Sequence, residues 1–217
     1  MLNVFYRLSR YLSTHPNPMG RDKYVIVEKC LDSFLRAKDT DCKITFLADS
    51  MDPEWVESKL RPHGEILIPH SGNRETFWKQ LDLACETHDN EKIMFVEDDY
   101  LWRPNTLKQI EDALDSLTII FPYDHPGHHT EDRFRDQPKK TRLINGFTYH
   151  EVPSNTLTFA TKAWVIKQNH EKIRPLEVRD HQIWQAIGLD MWAPSYSIAE
   201  HQVIGLEAPN FKFANLV

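Results

Sequence analysis

Apolar positions recur in two rhythms along the first half of this chain: short unbroken runs, and stripes at helical spacing. Asn3 to Arg7 reads as a strand. Asp22 to Lys38 reads as a helix whose Val27, Cys30, Leu31, Phe34 and Leu35 share one face. Lys43 to Ala48 predicts a second strand, Pro53 to Leu60 a helix after Asp49-Ser50, and Glu65 to Ile68 a short third strand. A helix over Asn73 to Thr87 follows, with Phe77, Leu81, Ala84 and Cys85 on one side. Lys92 to Val96 is the next strand, and its run Ile93-Met94-Phe95-Val96 suits burial on both faces. Pro104 fits the first turn of a further helix striped by Leu107, Ile110, Leu114 and Leu117. Strand and helix alternating in this way predict a parallel sheet with helical crossovers.

Beyond Leu117 the pattern changes. Thr118 to Phe121 and Thr156 to Phe159 predict strands on either side of a polar stretch from Tyr123 to Arg142, and helices near Thr161 to His170 and Asp180 to Ile187 follow. With 217 residues and no internal repeat or low-complexity linker, the expectation is one α/β domain whose second half, 104–217, builds a lid and an acceptor face.

Three adjacent carboxylates, Glu97-Asp98-Asp99, stand directly after the apolar run. Their mutual repulsion is costly unless a cation or hydrogen-bond donors sit among them. In open α/β sheets the carboxyl ends of strands are where ligands bind. A divalent cation carrying a phosphate-containing ligand is the simplest occupant, and hard oxygen ligands suit magnesium or manganese. The bland alternative is a triplet that caps the following turn in water.

The pattern Phe95-Val96-Glu97-Asp98-Asp99-Tyr100 resembles the GT-A class of nucleotide-sugar-dependent glycosyltransferases, whose sheet carries an acidic D-x-D-type motif at the end of a central strand. The likeness is strongest from Asn3 to Trp102, and it implies a GT-A, Rossmann-like sheet, mixed but mostly parallel and flanked by helices. Residues 1–103 would then be the nucleotide-sugar-binding half. The resemblance implies Asp99 as a ligand of Mn2+ or Mg2+, with Glu97 and Asp98 on ribose and sugar hydroxyls; Glu stands here where the motif begins with Asp. It places Arg74, in Ser71-Gly72-Asn73-Arg74 at a helix start, on the diphosphate, where free N–H groups and the helix dipole also favour an anion. Asn73 has the alternative of a plain N-cap and Arg74 of a surface charge.

The same resemblance puts the ends of the first two strands beside the nucleoside. Tyr6 could stack on the base, Arg7 would border the crevice, and Asp49 could accept from base or ribose. Such enzymes often return a late histidine to the metal, which points to His201, with Glu200 as competitor. Asp180, before the helix His181-Gln182-Ile183-Trp184, fits a general base that deprotonates an acceptor hydroxyl; its alternative is an N-cap. Tyr123-Asp124-His125-Pro126-Gly127-His128-His129 could hold zinc but lacks a second paired set. It reads instead as a mobile loop contacting donor or acceptor, with Asp124 and His125 the pair of interest. Arg133, Arg135, Lys139, Lys140 and Arg142 interleave with Glu131, Asp132 and Asp136, as on a solvated face, or as a patch for a phosphate-bearing acceptor.

Charge and composition narrow this picture. A formal charge of −6 opposes a protein that coats nucleic acid electrostatically. No apolar run approaches the ~20 residues that span a bilayer, and the N-terminus reads as a strand, not a signal peptide. Cys30, Cys42 and Cys85 are scattered, as in reduced cytoplasmic proteins, which for a viral protein means the host cytoplasm. Six tryptophans and thirteen prolines hint at a structured binding face. The leading reading is metal-dependent glycosyl transfer from a nucleotide-diphosphate sugar to a hydroxyl of a glycan or of a modified base in DNA. A metal-dependent phosphodiesterase or nuclease and a non-catalytic nucleotide-binding module are the alternatives.

Overall fold

Alternation along the first strand decides the layering. The computed structural model describes residues 1–12, 15–135 and 139–210, without the side chains of Arg133 and Arg135. In β1 (Leu2–Ser9), Leu2, Val4, Tyr6 and Leu8 join one apolar cluster with Val27, Leu31 and Phe34 of α1 (Lys23–Ala37). Phe5 joins the other, with Phe77 and Leu81 of α3 (Asn73–Glu86). Successive side chains of a strand point to opposite faces, so one short run feeds two cores. Each large apolar side chain so buried contributes roughly 1.5–3 kcal/mol.

Parallel neighbours of β1 are β2 (Cys42–Asp49), itself beside β3 (Glu65–Leu67), and β4 (Lys92–Val96). The predicted alternation is therefore present, and α2 (Pro53–Lys59) lies between β2 and β3 in the chain. Local chemistry sets the helix starts. Asp22 caps α1 by accepting from the amides of Tyr24 and Val25, and Asp52 caps α2 ahead of Pro53.

The second half extends the same sheet. After β5 (Tyr100–Trp102) come α4 (Leu107–Ala113), β6 (Ile119–Ile120), α5 (Gly127–Thr130), α6 (Asp132–Arg135), β7 (Thr141–Ile144), β8 (Phe147–Glu151) and β9 (Phe159–Lys162). Then follow α7 (Ala163–Ile173), a single 3-10 turn at Arg174–Leu176, α8 (Asp180–Ile187), β10 (Met191–Pro194) and β11 (Ala199–His201). The nine-stranded order is β3-β2-β1-β4-β9-β6-β10-β8-β7, with β8 and β9 running against the others. This is the expected α/β architecture, a single domain with a mostly parallel central sheet between helices.

Three features depart from the sequence reading. The strand expected at Thr156 to Phe159 begins only at Phe159, because pairing with β4 ends at Phe95↔Phe159. Beyond that point the side chains take over: Thr158 Oγ1 accepts from the Glu97 amide at 3.1 Å, and Thr156 Oγ1 from the Tyr100 hydroxyl at 2.7 Å. The polar stretch contains part of a hairpin, β7–β8, closed by Asn145-Gly146 with φ of 48° and 85°; both central residues of this type of two-residue turn need positive φ. The tryptophans serve packing more than binding, since Trp102, Trp184 and Trp192 are fully buried.

Candidate active site

Asp99 sits where the sheet ends and a separate two-stranded ribbon begins. In that ribbon β11 pairs antiparallel with β5, His201 opposite Tyr100, and the two rings stack at 4.8 Å and 4°. The Gln202 amide donates to the Asp99 carbonyl at 2.8 Å. This register returns His201 to the triplet, with Nε2 3.3 Å from Asp99 Oδ2. Its competitor Glu200 points to the opposite face and accepts from the Ala208 amide at 3.1 Å.

The other two acids are engaged by protein donors. Glu97 Oε1 accepts from Arg7 at 2.5 Å and Oε2 from the Thr158 hydroxyl at 3.3 Å. Asp98 accepts from Lys23 Nζ at 2.7 Å and from the Ser9 amide at 2.8 Å. Burial pushes the Asp98 carboxyl up, with Lys23 opposing and Asp99 adding to the rise. For Asp99, burial also favours the neutral acid, but His201, Lys23 and Arg7 outweigh it and hold the carboxyl below its usual range. His201 is raised: burial opposes its charge, and Asp99 more than compensates. Asp99 Oδ1 and His201 Nδ1 are buried polar atoms with no hydrogen-bond partner among the described residues. A carboxylate with an unused oxygen beside an imidazole fits a divalent cation.

A cleft of about 340 Å3 opens at this point, lined by Arg7, Lys23, Asp49, Asn73, the three acids and His201 among others. Arg7 lies on the α3 side of β1, so its guanidinium bonds Asn73 Oδ1 at 2.6 Å as well as Glu97. Asp49 shapes the far wall by accepting from the amides of Ser71 and Gly72, both at 3.0 Å. Gly72 is the N-cap of α3 at φ 86°, so Asn73 is not the cap and its side chain is free to take Arg7.

Two expected binding residues are corrected. Tyr6 is fully buried, edge-on to Phe34 at 5.3 Å, because alternation sends it to the face opposite Arg7; it has no face for a base. Arg74 is not among the residues lining the cleft; it pairs with Glu75 and Glu177 and lies over Trp78. Lys23, the first residue of α1, is the cation that sequence reasoning misses.

A second cavity of about 330 Å3 shares His201 and is lined also by His125, His128, Phe134, Asp180 and His181. Asp180 is the first residue of α8, with Oδ1 accepting from the His181 amide at 2.6 Å. The loop expected to be mobile is instead anchored. Asp124 is buried, and His128, His129 and His150 converge on its carboxylate. Of the basic stretch, Lys139 bonds the His128 carbonyl, Lys140 pairs with Glu151, and Arg142 bonds the Ser116 carbonyl and covers Trp192. Lys139, Lys140 and Arg142 are thus each engaged within the protein; Asp136 and the side chains of Arg133 and Arg135 lie outside the described residues.

His125 gives this wall a pH dependence. Burial, with His128 and His201 nearby, lowers it from 6.5 to about 4, and its Nδ1 accepts from the Gly127 amide at 2.9 Å. A base whose pKa falls on folding contributes stability fully above the unfolded value and loses it as pH drops through the folded one. The window is therefore pH 6.5 down to about 4. At about 1.4 kcal/mol per unit the effect is about 3.5 kcal/mol before solvent screening reduces it. Thermal denaturation across that window is expected to show a flatter pH dependence for His125→Asn than for the natural chain.

Neither a protein-family model nor a curated protein matches the sequence. Solved structures match the fold. The 4-diphosphocytidyl-2C-methyl-D-erythritol synthase of Anaerococcus prevotii superposes with a TM-score of 0.52 at 13% identity, over 91% of this chain and 88% of that one. A nucleotidyl transferase from Methanothermobacter gives 0.50 at 13% identity, over 89% and 86%. An active-site mutant of LgtC, a galactosyltransferase, gives 0.50 at 11% identity, over 88% and 72%. The fold is GT-A-like. Among the described residues no helix is long and apolar enough to cross a membrane.

Proposed function

We propose that the protein is a metal-dependent transferase that moves a sugar from a nucleotide-diphosphate donor to an acceptor hydroxyl. The observation that carries this reading is the position of Asp99 and His201: His201 lines both cavities, one lined also by Arg7, Lys23 and the three acids and the other holding Asp180. Asp99 and His201 would hold Mn2+ or Mg2+, which when bound supplies Lewis-acid neutralisation of a diphosphate leaving group. Arg7 and Lys23, on the cleft wall, add positive charge for the donor's phosphates in a site partly shielded from water. Asp49 holds the turn at the start of α3 and shapes the nucleoside end. Residues 1–103 thus supply the donor side apart from His201, and 104–217 the acceptor side.

Asp180 faces the second cavity as a proton acceptor for the incoming hydroxyl. Asp180→Asn is expected to lower transfer by about 10²–10⁴-fold while leaving nucleotide affinity unchanged; an unaltered rate removes it from the mechanism. The phosphodiesterase reading needs further acids free to bind a second metal. Glu97 and Asp98 are occupied by Arg7 and Lys23, which argues against it.

Nucleotidyl transfer is the second reading, favoured by two of the fold neighbours. Incubation with Mn2+ and a panel of nucleotide sugars, followed by chromatography of the nucleotides, tests both. Release of a nucleoside diphosphate supports glycosyl transfer. Pyrophosphate release from a nucleoside triphosphate with a sugar phosphate, and no donor cleavage, replaces it with nucleotidyl transfer.

A further inference from the structure

Away from the Asp99–His201 pair, a second set of metal-ligand side chains converges in the interior. Asp124 follows Tyr123 in the segment after β6, His128 sits on α5, and His150 lies on β8. Asp124 Oδ1 is 3.3 Å from His128 Nδ1 and 3.1 Å from His150 Nε2, and the three ligand atoms lie within 4.8 Å of one another. Zinc bonds of about 2.0–2.1 Å in a tetrahedron separate neighbouring ligand atoms by roughly 3.3 Å. The two measured separations match that edge. The side chains are 3%, 3% and 8% exposed, so the three ligands are buried.

The outer contacts point the same way. His128 Nε2 donates to the Ser154 carbonyl at 2.6 Å, which turns the ring so that Nδ1 faces the Asp124 carboxylate. His150 Nδ1 is 3.4 Å from Ser195 Oγ, and the Asp124 amide donates to Ser197 Oγ at 2.9 Å. Ring nitrogens held from behind by carbonyl and hydroxyl groups are the usual support of metal-bound histidine. His129 Nε2 lies 2.7 Å from the other carboxylate oxygen and holds the Asp124 carboxylate from the outside.

We infer that Asp124, His128 and His150 form a zinc site, completed by water. It pins α5 to the sheet and fixes His128 in the wall of the second cavity. Two imidazoles with one carboxylate suit zinc or another borderline transition metal better than the hard cation expected at Asp99. The zinc site is independent of the transfer chemistry proposed above.

The test is metal content and spectroscopy on the full chain. Protein produced with zinc in the medium is expected to retain about one zinc per chain by mass spectrometry, as a structural site does. After chelation, added Co2+ is expected to give the visible absorption of a tetrahedral N/O site. Asp124→Asn and His150→Gln should each weaken retention by about 10-fold or more, and His201→Gln should retain zinc fully. The Co2+ spectrum of the natural chain decides the matter even where a variant does not fold. Absence of retained zinc together with a featureless Co2+ spectrum overturns the site. So does zinc lost with His201→Gln and kept with His150→Gln.

Discussion

Asp99→Asn is expected to lower metal-dependent turnover of a nucleotide-sugar donor by about a thousandfold or more. A Lewis-acid metal supplies several kcal/mol of charge stabilisation, and about 4 kcal/mol corresponds to a thousandfold in rate. The effect concentrates on Asp99 because its neighbours are committed elsewhere: Glu97 to Arg7, Asp98 to Lys23 and the Ser9 amide. Asparagine keeps the shape and loses the charge, so the variant should fold, with stability changed by about 1–2 kcal/mol through the contact with His201. Glu97→Gln should cost far less in rate. Rate assays with Mn2+ titrated for each variant check both statements; equal losses would mean that the three acids act as an undifferentiated cluster.

Arg7→Met carries the largest expected effect on stability. Arg7 is 6% exposed and bridges Glu97 on β4's end to Asn73 on α3, with its guanidinium 5.5 Å from the Phe77 ring centroid. Removing one partner of a buried ion pair costs about 3–5 kcal/mol, mostly because the other charge is left uncompensated. Glu97 retains some solvent, so the lower end of that range applies. Arg7→Met with Glu97→Gln removes both charges and should recover most of the stability by denaturant unfolding. It should not recover nucleotide binding, if Arg7 faces the donor phosphates. Restored binding in the double variant would reduce Arg7 to a structural role.

The first half of the fold is legible because its signals are local. Runs such as Ile93 to Val96 and stripes such as Val27 to Leu35 name strand and helix, and alternation makes the sheet parallel. The ribbon of β5 and β11, by contrast, consists of two three-residue strands about a hundred positions apart, and such short segments carry no periodicity. The Asn145-Gly146 turn of β7–β8 has a sequence signal, but the pairing of β8 with β10 does not.

The site divides along the same line. The triplet is visible, and its position after a buried strand tells where it lies. Which face of β1 meets α3 is not written locally, so Tyr6 and Arg7 read as equivalent although only Arg7 reaches the cleft. Arg74 looks suited to phosphate from the helix start alone, yet Glu75 and Glu177 claim it. Lys23 reaches Asp98 across 75 positions, and His150 reaches Asp124 across 26. Both convergences are products of tertiary packing.

Thermal stability of the purified protein against nucleotides and nucleotide sugars, with and without Mn2+, tests the central claim most directly. A ligand bound only by the folded state adds about 2.7 kcal/mol at a hundredfold excess over Kd. The account predicts a Mn2+-dependent rise with one nucleoside diphosphate and its sugar conjugates, absent in Asp99→Asn. No rise with any nucleotide, or a rise undiminished in Asp99→Asn, would contradict it.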